Sequence, residues 1–179
     1  SAWHSLTHLV EAASRIDEGL PVPAHLDAIF QGGSALGGAR PKASIRDEQG
    51  ILWLAKFASA SDAMDVPTIE AATLLLAKET GQCVPPVCTQ SLNDRSIMLI
   101  QRFDRYWSKA GTECRMGFVS GLTMLGCDES ESPNKSYADL ADAIRRYCHP
   151  SVIRQNNEEL FRRMVFNILV TNDDDHLRN

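Results

Sequence analysis

Ala43-Ser44-Ile45-Arg46-Asp47-Glu48-Gln49-Gly50-Ile51-Leu52-Trp53-Leu54-Ala55-Lys56-Phe57 is the stretch that decides the fold. Two runs of strand-forming residues, Ala43 to Ile45 and Ile51 to Phe57, flank the turn-forming Asp47-Glu48-Gln49-Gly50, which predicts a β-hairpin. Strand alternation places Leu52, Leu54 and Lys56 on one face, so an ammonium shares a face with apolar side chains. Immediately before the hairpin lies Gln31-Gly32-Gly33-Ser34-Ala35-Leu36-Gly37-Gly38-Ala39-Arg40-Pro41-Lys42, whose four glycines permit positive φ and close backbone approach and predict a loop opening the sheet.

Working outward, residues 3-31 read as a helical lead-in, with Leu6, Leu9, Val10 and Ile16 at helical spacing and a break at Gly19-Leu20-Pro21. On the other side, residues 67-80 predict a helix, with Asp65 at the N-cap, Pro67 in the first turn and Gly81 past its end. Glu70 lies early on that helix, placed to orient a strand lysine by an ion pair. Val87 to Ser91 and Ser96 to Arg102 around Leu92-Asn93-Asp94-Arg95 predict a second hairpin. The order is ββ, α, ββ.

Beyond Arg105 the pattern turns helical. Helices are expected at about 117-126, from Ser136 with Asp139 as a capping box to about Cys148, and from about Glu158 to Val170. The last is amphipathic, with Leu160, Phe161, Met164, Val165, Ile168 and Leu169 on its apolar face. Asp128 to Lys135 reads as a mobile surface loop. The division expected is therefore a lead-in at 1-31, a β-rich lobe at 32-104 and a partial helical lobe at 105-179, an α+β chain.

Composition bounds the function. The 179 residues carry 18 Lys and Arg against 23 Asp and Glu, a formal charge of −5, which argues against direct nucleic-acid binding over the whole chain. No apolar run approaches membrane-spanning length and no secretory leader pattern is present, so the expected setting is cytoplasmic, with no membrane partner. Five cysteines without a C-x-x-C pair point to buried, reduced thiols rather than a disulfide framework or zinc site.

The densest chemistry is Asn172-Asp173-Asp174-Asp175-His176-Leu177-Arg178-Asn179. Carboxylates after a helix C-terminus oppose its partial charge and repel one another unless cations balance them, which favours a metal or phosphate-transfer site. In phosphoryl transfer an Asp that accepts the hydroxyl proton is followed by an Asn on magnesium, and Asp174 to Asn179 offers such a D-x-H-x-x-N. A glycine-rich turn entering a hairpin with a lysine on its second strand is likewise what a nucleotide phosphate site requires. A Walker A loop and a Rossmann turn are both excluded by spacing.

Gly37-Gly38-Ala39-Arg40-Pro41-Lys42-Ala43, Lys56, Gln101-Arg102-Phe103-Asp104-Arg105, and Phe166-Asn167 leading to Asp174-Asp175-His176-Leu177-Arg178-Asn179 together resemble the HipA-like serine/threonine kinases, toxins of bacterial toxin-antitoxin systems. The resemblance implies a protein-kinase-like fold using ATP and Mg²⁺ to phosphorylate a protein serine. It implies Gly37, Gly38, Ala39, Lys42 and Lys56 around the phosphates, with Glu70 as the supporting ion pair. The backbone of Gln101, Arg102 and Phe103 would lie at the adenine. Asp174 is implied as catalytic base, His176 as the brace of its loop and Asn179 as a magnesium ligand. Ser34 is the candidate for autophosphorylation, because Ala35 stands at the usual position. A HipB-like DNA-binding antitoxin and an aminoacyl-tRNA synthetase substrate are implied partners. The second magnesium-binding Asp of the family falls beyond Asn179, so the expectation is a truncated piece of a kinase with little or no turnover. The competing expectations are an inactive kinase-like lobe that binds protein, and a metal-dependent hydrolase built on Asp173, Asp174, Asp175 and His176.

Overall fold

The computed structural model describes residues 5-34 and 40-178. It is an α+β chain that divides into two compact units, Ser1–Glu79 with Cys83–Met116, and Thr80–Gln82 with Gly117–Asn179. Among the described residues no helix is long and apolar enough to cross a membrane.

The first unit is built on a four-stranded antiparallel sheet in the order β1-β2-β4-β3, formed by β1 (Lys42–Arg46), β2 (Leu52–Phe57), β3 (Val87–Leu92) and β4 (Arg95–Gln101). Both predicted hairpins are present. In the first, Asp47 Oδ1 accepts from the N–H groups of Gln49 and Ile51, Oδ2 accepts from Trp53 Nε1, and Gly50 supplies the positive φ that closes the turn. In the second, Asn93 and Asp94 both take positive φ, the two-residue geometry whose twist matches antiparallel strands.

One face of this sheet carries Ala43, Ile45, Ala55, Phe57, Ile97 and Leu99, and it is covered by α1 (Ser5–Asp17) and α2 (Ala24–Ser34) through Leu6, Leu9, Val10 and Phe30. Phe30 meets Phe57 with ring centroids 5.5 Å apart. The opposite face carries Lys42, Lys56 and Met98, and α3 (Val66–Glu79) packs on that side against β3 and β4. Asp65 caps α3, accepting from the Thr68 N–H and also from Ser96 Oγ at 2.6 Å, which ties the helix start to β4.

Three expectations need correction here, two for this unit and one for the cysteines of the whole chain. The glycine-rich segment does not begin as a loop at Gln31: α2 continues through Gly32 and Gly33 to Ser34, because the burial of Phe30 outweighs the poor helix propensity of glycine. The chain beyond Arg105 is not at once helical, since β5 (Arg105–Trp107) and β6 (Glu113–Arg115) form a further hairpin. Glu113 takes both guanidinium nitrogens of Arg46, at 2.9 and 3.0 Å, which fastens the hairpin to the end of β1. The cysteines are free thiols, yet none is buried: Cys83 is exposed and the other four are half-buried.

The second unit is helical, with α4 (Gly121–Leu125), α5 (Tyr137–Tyr147) and α6 (Pro150–Leu169). The capping box of Ser136 and Asp139 is formed in both directions. α6 starts eight residues earlier than expected, with His149 accepting from the Ser151 N–H and Pro150 in the first turn, the position proline tolerates best. Its side chains also fall differently. Phe161, Ile168 and Leu169 are exposed, and Phe166 is the buried residue of the helix. The 128-135 segment is exposed as expected but locally ordered, with Asp128 Oδ1 accepting from the N–H groups of Ser130 and Glu131 before a 3₁₀ turn over Ser132–Asn134.

Candidate functional site

In the sheet unit, antiparallel pairing sets Lys42 of β1 directly opposite Lys56 of β2, and Lys56 opposite Met98 of β4. Residues directly opposite one another project from the same face. Lys42 is only 5% exposed. Burial and then the Lys56 charge hold its pKa below the ordinary lysine value, with Glu70 acting in the other direction. Lys56 Nζ is ion-paired with Glu70 Oε1 of α3. Two facing ammonium groups on a sheet cost energy, and the Lys56 charge adds to the larger effect of burial in lowering the Lys42 pKa. An anion laid against this face would offset it. The donor chemistry therefore fits the phosphates of a nucleotide, with Lys42 and Lys56 as the groups that would hold them.

At the far end of the same strand, Gln101 closes β4 and Arg102 and Phe103 follow it. The Gln101 N–H donates to Pro86 C=O at 2.9 Å and the Arg102 N–H to Leu52 C=O at 3.0 Å, so both of these donors already serve the sheet. The Phe103 side chain is exposed. Asp104, 3% exposed, organises the turn. It accepts from Arg102 through both carboxylate oxygens at 2.7 Å, is ion-paired with Arg105, and receives the Met116 N–H on its carbonyl. The Arg102 hydrogen bonds, aided by the charges of both guanidiniums, hold its carboxyl below the usual carboxylate range against the effect of burial. The motif around Asp104 was visible in the sequence, but its place at the centre of the turn was not.

In the helical unit, Asp174 and His176 lie on the segment after α6. The Asp174 side chain is 85% exposed, and His176 Nε2 stands 3.6 Å from its Oδ1. His176 Nδ1 accepts the Arg178 N–H at 3.2 Å, which in the neutral ring leaves the proton on Nε2, the nitrogen facing Asp174. The His176 N–H donates to Asp174 C=O at 3.1 Å. Leu177 C=O accepts from the Leu122 N–H of α4 at 3.1 Å, and a Cβ on Gly121 would come within 2.9 Å of the end of the Leu177 side chain and 3.1 Å of its carbonyl oxygen, so glycine eases this approach. Asp175 is held by Tyr137 and Arg178 by Glu129. Among the described residues no three His, Cys, Asp or Glu side chains converge to hold a metal ion, which removes support from a hydrolase centre made of Asp173, Asp174, Asp175 and His176.

The remaining candidates are placed as follows. Ser34 is the last residue of α2 rather than part of a loop. Gly37, Gly38, Ala39 and Asn179 lie outside the described residues. Lys42, Lys56 and Glu70 share one side of the sheet, with Gln101 to Phe103 at the end of β4 in the same unit, while Asp174 and His176 belong to the other unit.

Comparison with known proteins decides the family. The model of the HipA-like C-terminal domain matches residues 34–179. The chain belongs to that family. Among solved structures, the HipA-like chain resembles one in the "Shewanella oneidensis MR-1 Toxin Antitoxin System HipA, HipB and its operator DNA complex", with a TM-score of 0.62 and 20% sequence identity. The match covers 80% of this chain and 38% of that one, so the present sequence corresponds to well under half of the Shewanella chain. At this identity the likeness is one of fold. No curated protein matches.

Proposed function

We propose that this HipA-like chain carries the nucleotide-binding lobe and the catalytic loop of a protein-kinase-like serine/threonine kinase, which transfers the γ-phosphate of ATP to a serine hydroxyl of a protein. The observation that carries the reading is the Lys56–Glu70 ion pair, made between the second strand of the glycine-loop hairpin and the helix that follows, beside the buried Lys42. Protein kinases require such a strand-lysine to helix-glutamate pair to present an ammonium to the nucleotide phosphates.

The roles follow from position. Lys56, oriented by Glu70, holds the phosphates. Lys42 adds a second cation on the same face. The backbone of Gln101 to Phe103 borders the base, where carbonyl oxygens remain the useful groups because two N–H donors are committed to the sheet. Asp174 takes the proton of the attacking serine hydroxyl, and His176 steadies its loop through Arg178 and the Asp174 carbonyl. Asn179 is the oxygen donor for Mg²⁺, which when bound neutralises charge developing on the phosphates. A HipB-like antitoxin, suggested by the composition of the Shewanella complex, and a protein substrate of the aminoacyl-tRNA synthetase class are proposed as partners of the whole protein.

The test is phosphate transfer from γ-labelled ATP to serine by the whole protein with its protein substrate, run beside Mg·ATP binding to this chain. Asp174→Asn should retain nucleotide affinity and lose transfer by roughly 10²- to 10⁴-fold, the usual worth of a positioned base. Transfer that survives Asp174→Asn, or a chain that binds no Mg·ATP, would sink the reading. Nucleotide-independent binding of protein through the sheet face, unaffected by Lys56→Ala, would favour the binding-module alternative.

A further inference from the structure

Three acids stand side by side at 173-175, and the hydrogen bonds of the helical unit treat them differently. α6 ends in a Schellman motif: the Asn172 N–H donates to Asn167 C=O at 2.9 Å and the Thr171 N–H to Ile168 C=O at 3.2 Å. Thr171 occupies the left-handed position with φ of +53°, where glycine is usual and a β-branched residue is strained. Such strain persists only where surrounding contacts over-determine it.

Asn167 supplies those contacts. Its Oδ1 accepts from Asn172 Nδ2 at 3.2 Å, and its Nδ2 donates to Tyr137 Oη at 3.2 Å. Tyr137 in turn donates its hydroxyl proton to Asp175 Oδ2. Asn172 Oδ1 accepts the Asp174 N–H at 3.3 Å. The contacts form a closed circuit from the end of α6, through the first residue of α5, to the loop and back. Ser136, by capping α5, fixes where Tyr137 starts. Burial and the neighbouring Asp175 raise the Tyr137 pKa, so its hydroxyl stays a proton donor across the physiological range.

We propose that Tyr137 is a positioning residue that pins the loop through Asp175, making Asp175 the anchor of the segment that carries Asp174. The choice of Asp174 as base rests on the kinase reading; the pin itself does not.

The experiment compares the chain with Tyr137→Phe, Asp175→Ala and Asp175→Asn. Amide hydrogen exchange over 172-178 should accelerate about tenfold in Tyr137→Phe and Asp175→Ala, while 42-57 keeps its protection. Asp175→Asn, which keeps an oxygen acceptor for the hydroxyl, should restore slow exchange. The Tyr137 phenol, isolated by difference against Tyr137→Phe in an ultraviolet titration, should ionise at lower pH in Asp175→Asn than in the parent. In the whole protein, transfer should fall in Tyr137→Phe with Mg·ATP affinity unchanged. Unchanged exchange in Tyr137→Phe would overturn the pin whatever the activity. Faster exchange in a chain that binds no Mg·ATP would uphold the pin and count against the kinase reading alone.

Discussion

The two units bury different things. The sheet unit packs Leu6, Leu9, Phe30, Phe57, Ile97 and Leu99 into one apolar cluster beneath β2 and β4. In the helical unit the buried apolar side chains among the described residues are Ala143 and Phe166, while Phe161, Ile168 and Leu169 are exposed. There, order comes from caps and polar stitches: the Ser136–Asp139 box, the Schellman turn and the Tyr137–Asp175 pair. Hydrophobic burial fixes strand register, and through it the places of Lys42 and Lys56. Hydrogen bonds, each with a net worth of about 1 kcal/mol, fix the loop that carries Asp174. A rigid cation site and an easily loosened acid site are the consequence.

The largest effect is expected where the sheet unit uses charge in place of apolar packing. Asp104→Ala leaves Arg102 and Arg105 without their buried carboxylate and should destabilise the unit by about 3 kcal/mol, read by urea unfolding. Asp104 also sets a pH window. Its folded pKa is depressed, so its stabilisation is complete above the ordinary carboxylate value near 3.9 and disappears as pH falls through the folded value. Acid unfolding of the sheet unit should be shallower in Asp104→Asn.

In the helical unit, Ser136→Ala removes the capping box and should cost about 1 kcal/mol, seen as earlier melting of α5 by helix-sensitive exchange. Thr171→Gly works in the opposite direction. Relief of left-handed strain should stabilise the end of α6 by about 1 kcal/mol, and no gain in protection there would show that the turn is not strained. The smallest effect is expected at the sheet. Lys42→Met removes the facing-lysine repulsion and should raise stability by about 0.5 kcal/mol while weakening Mg·ATP binding. Loss of stability instead would mean that Lys42 is held by packing rather than for an anion.

What the sequence makes legible follows the same division. Local signals carry far: Asp47 to Gly50, Asn93-Asp94 and Ser136 with Asp139 each announce a turn or cap, and each forms. Lys56 and Glu70 are fourteen residues apart, and strand alternation plus helix position suffices to bring them together. Where the determinant is tertiary, the reading fails. Gly32 and Gly33 are helical because Phe30 is anchored on Phe57. The short β5–β6 hairpin is held by Glu113 reaching Arg46, 67 residues away. The first half of α6 is hidden by the polar run Gln155-Asn156-Asn157, although Pro150 at its start was a usable signal. Nothing local to Tyr137 points to Asp175, 38 residues on.

Everything proposed for the sheet unit depends on the Lys42–Lys56–Glu70 face taking the phosphates of a nucleotide. Calorimetric titration of Mg·ATP into the chain and into its Lys56→Ala variant tests it most directly. Saturable one-to-one binding to the chain is expected, with at least tenfold weaker binding to the variant, whose sheet stays intact by circular dichroism. Equal affinity in both would contradict it.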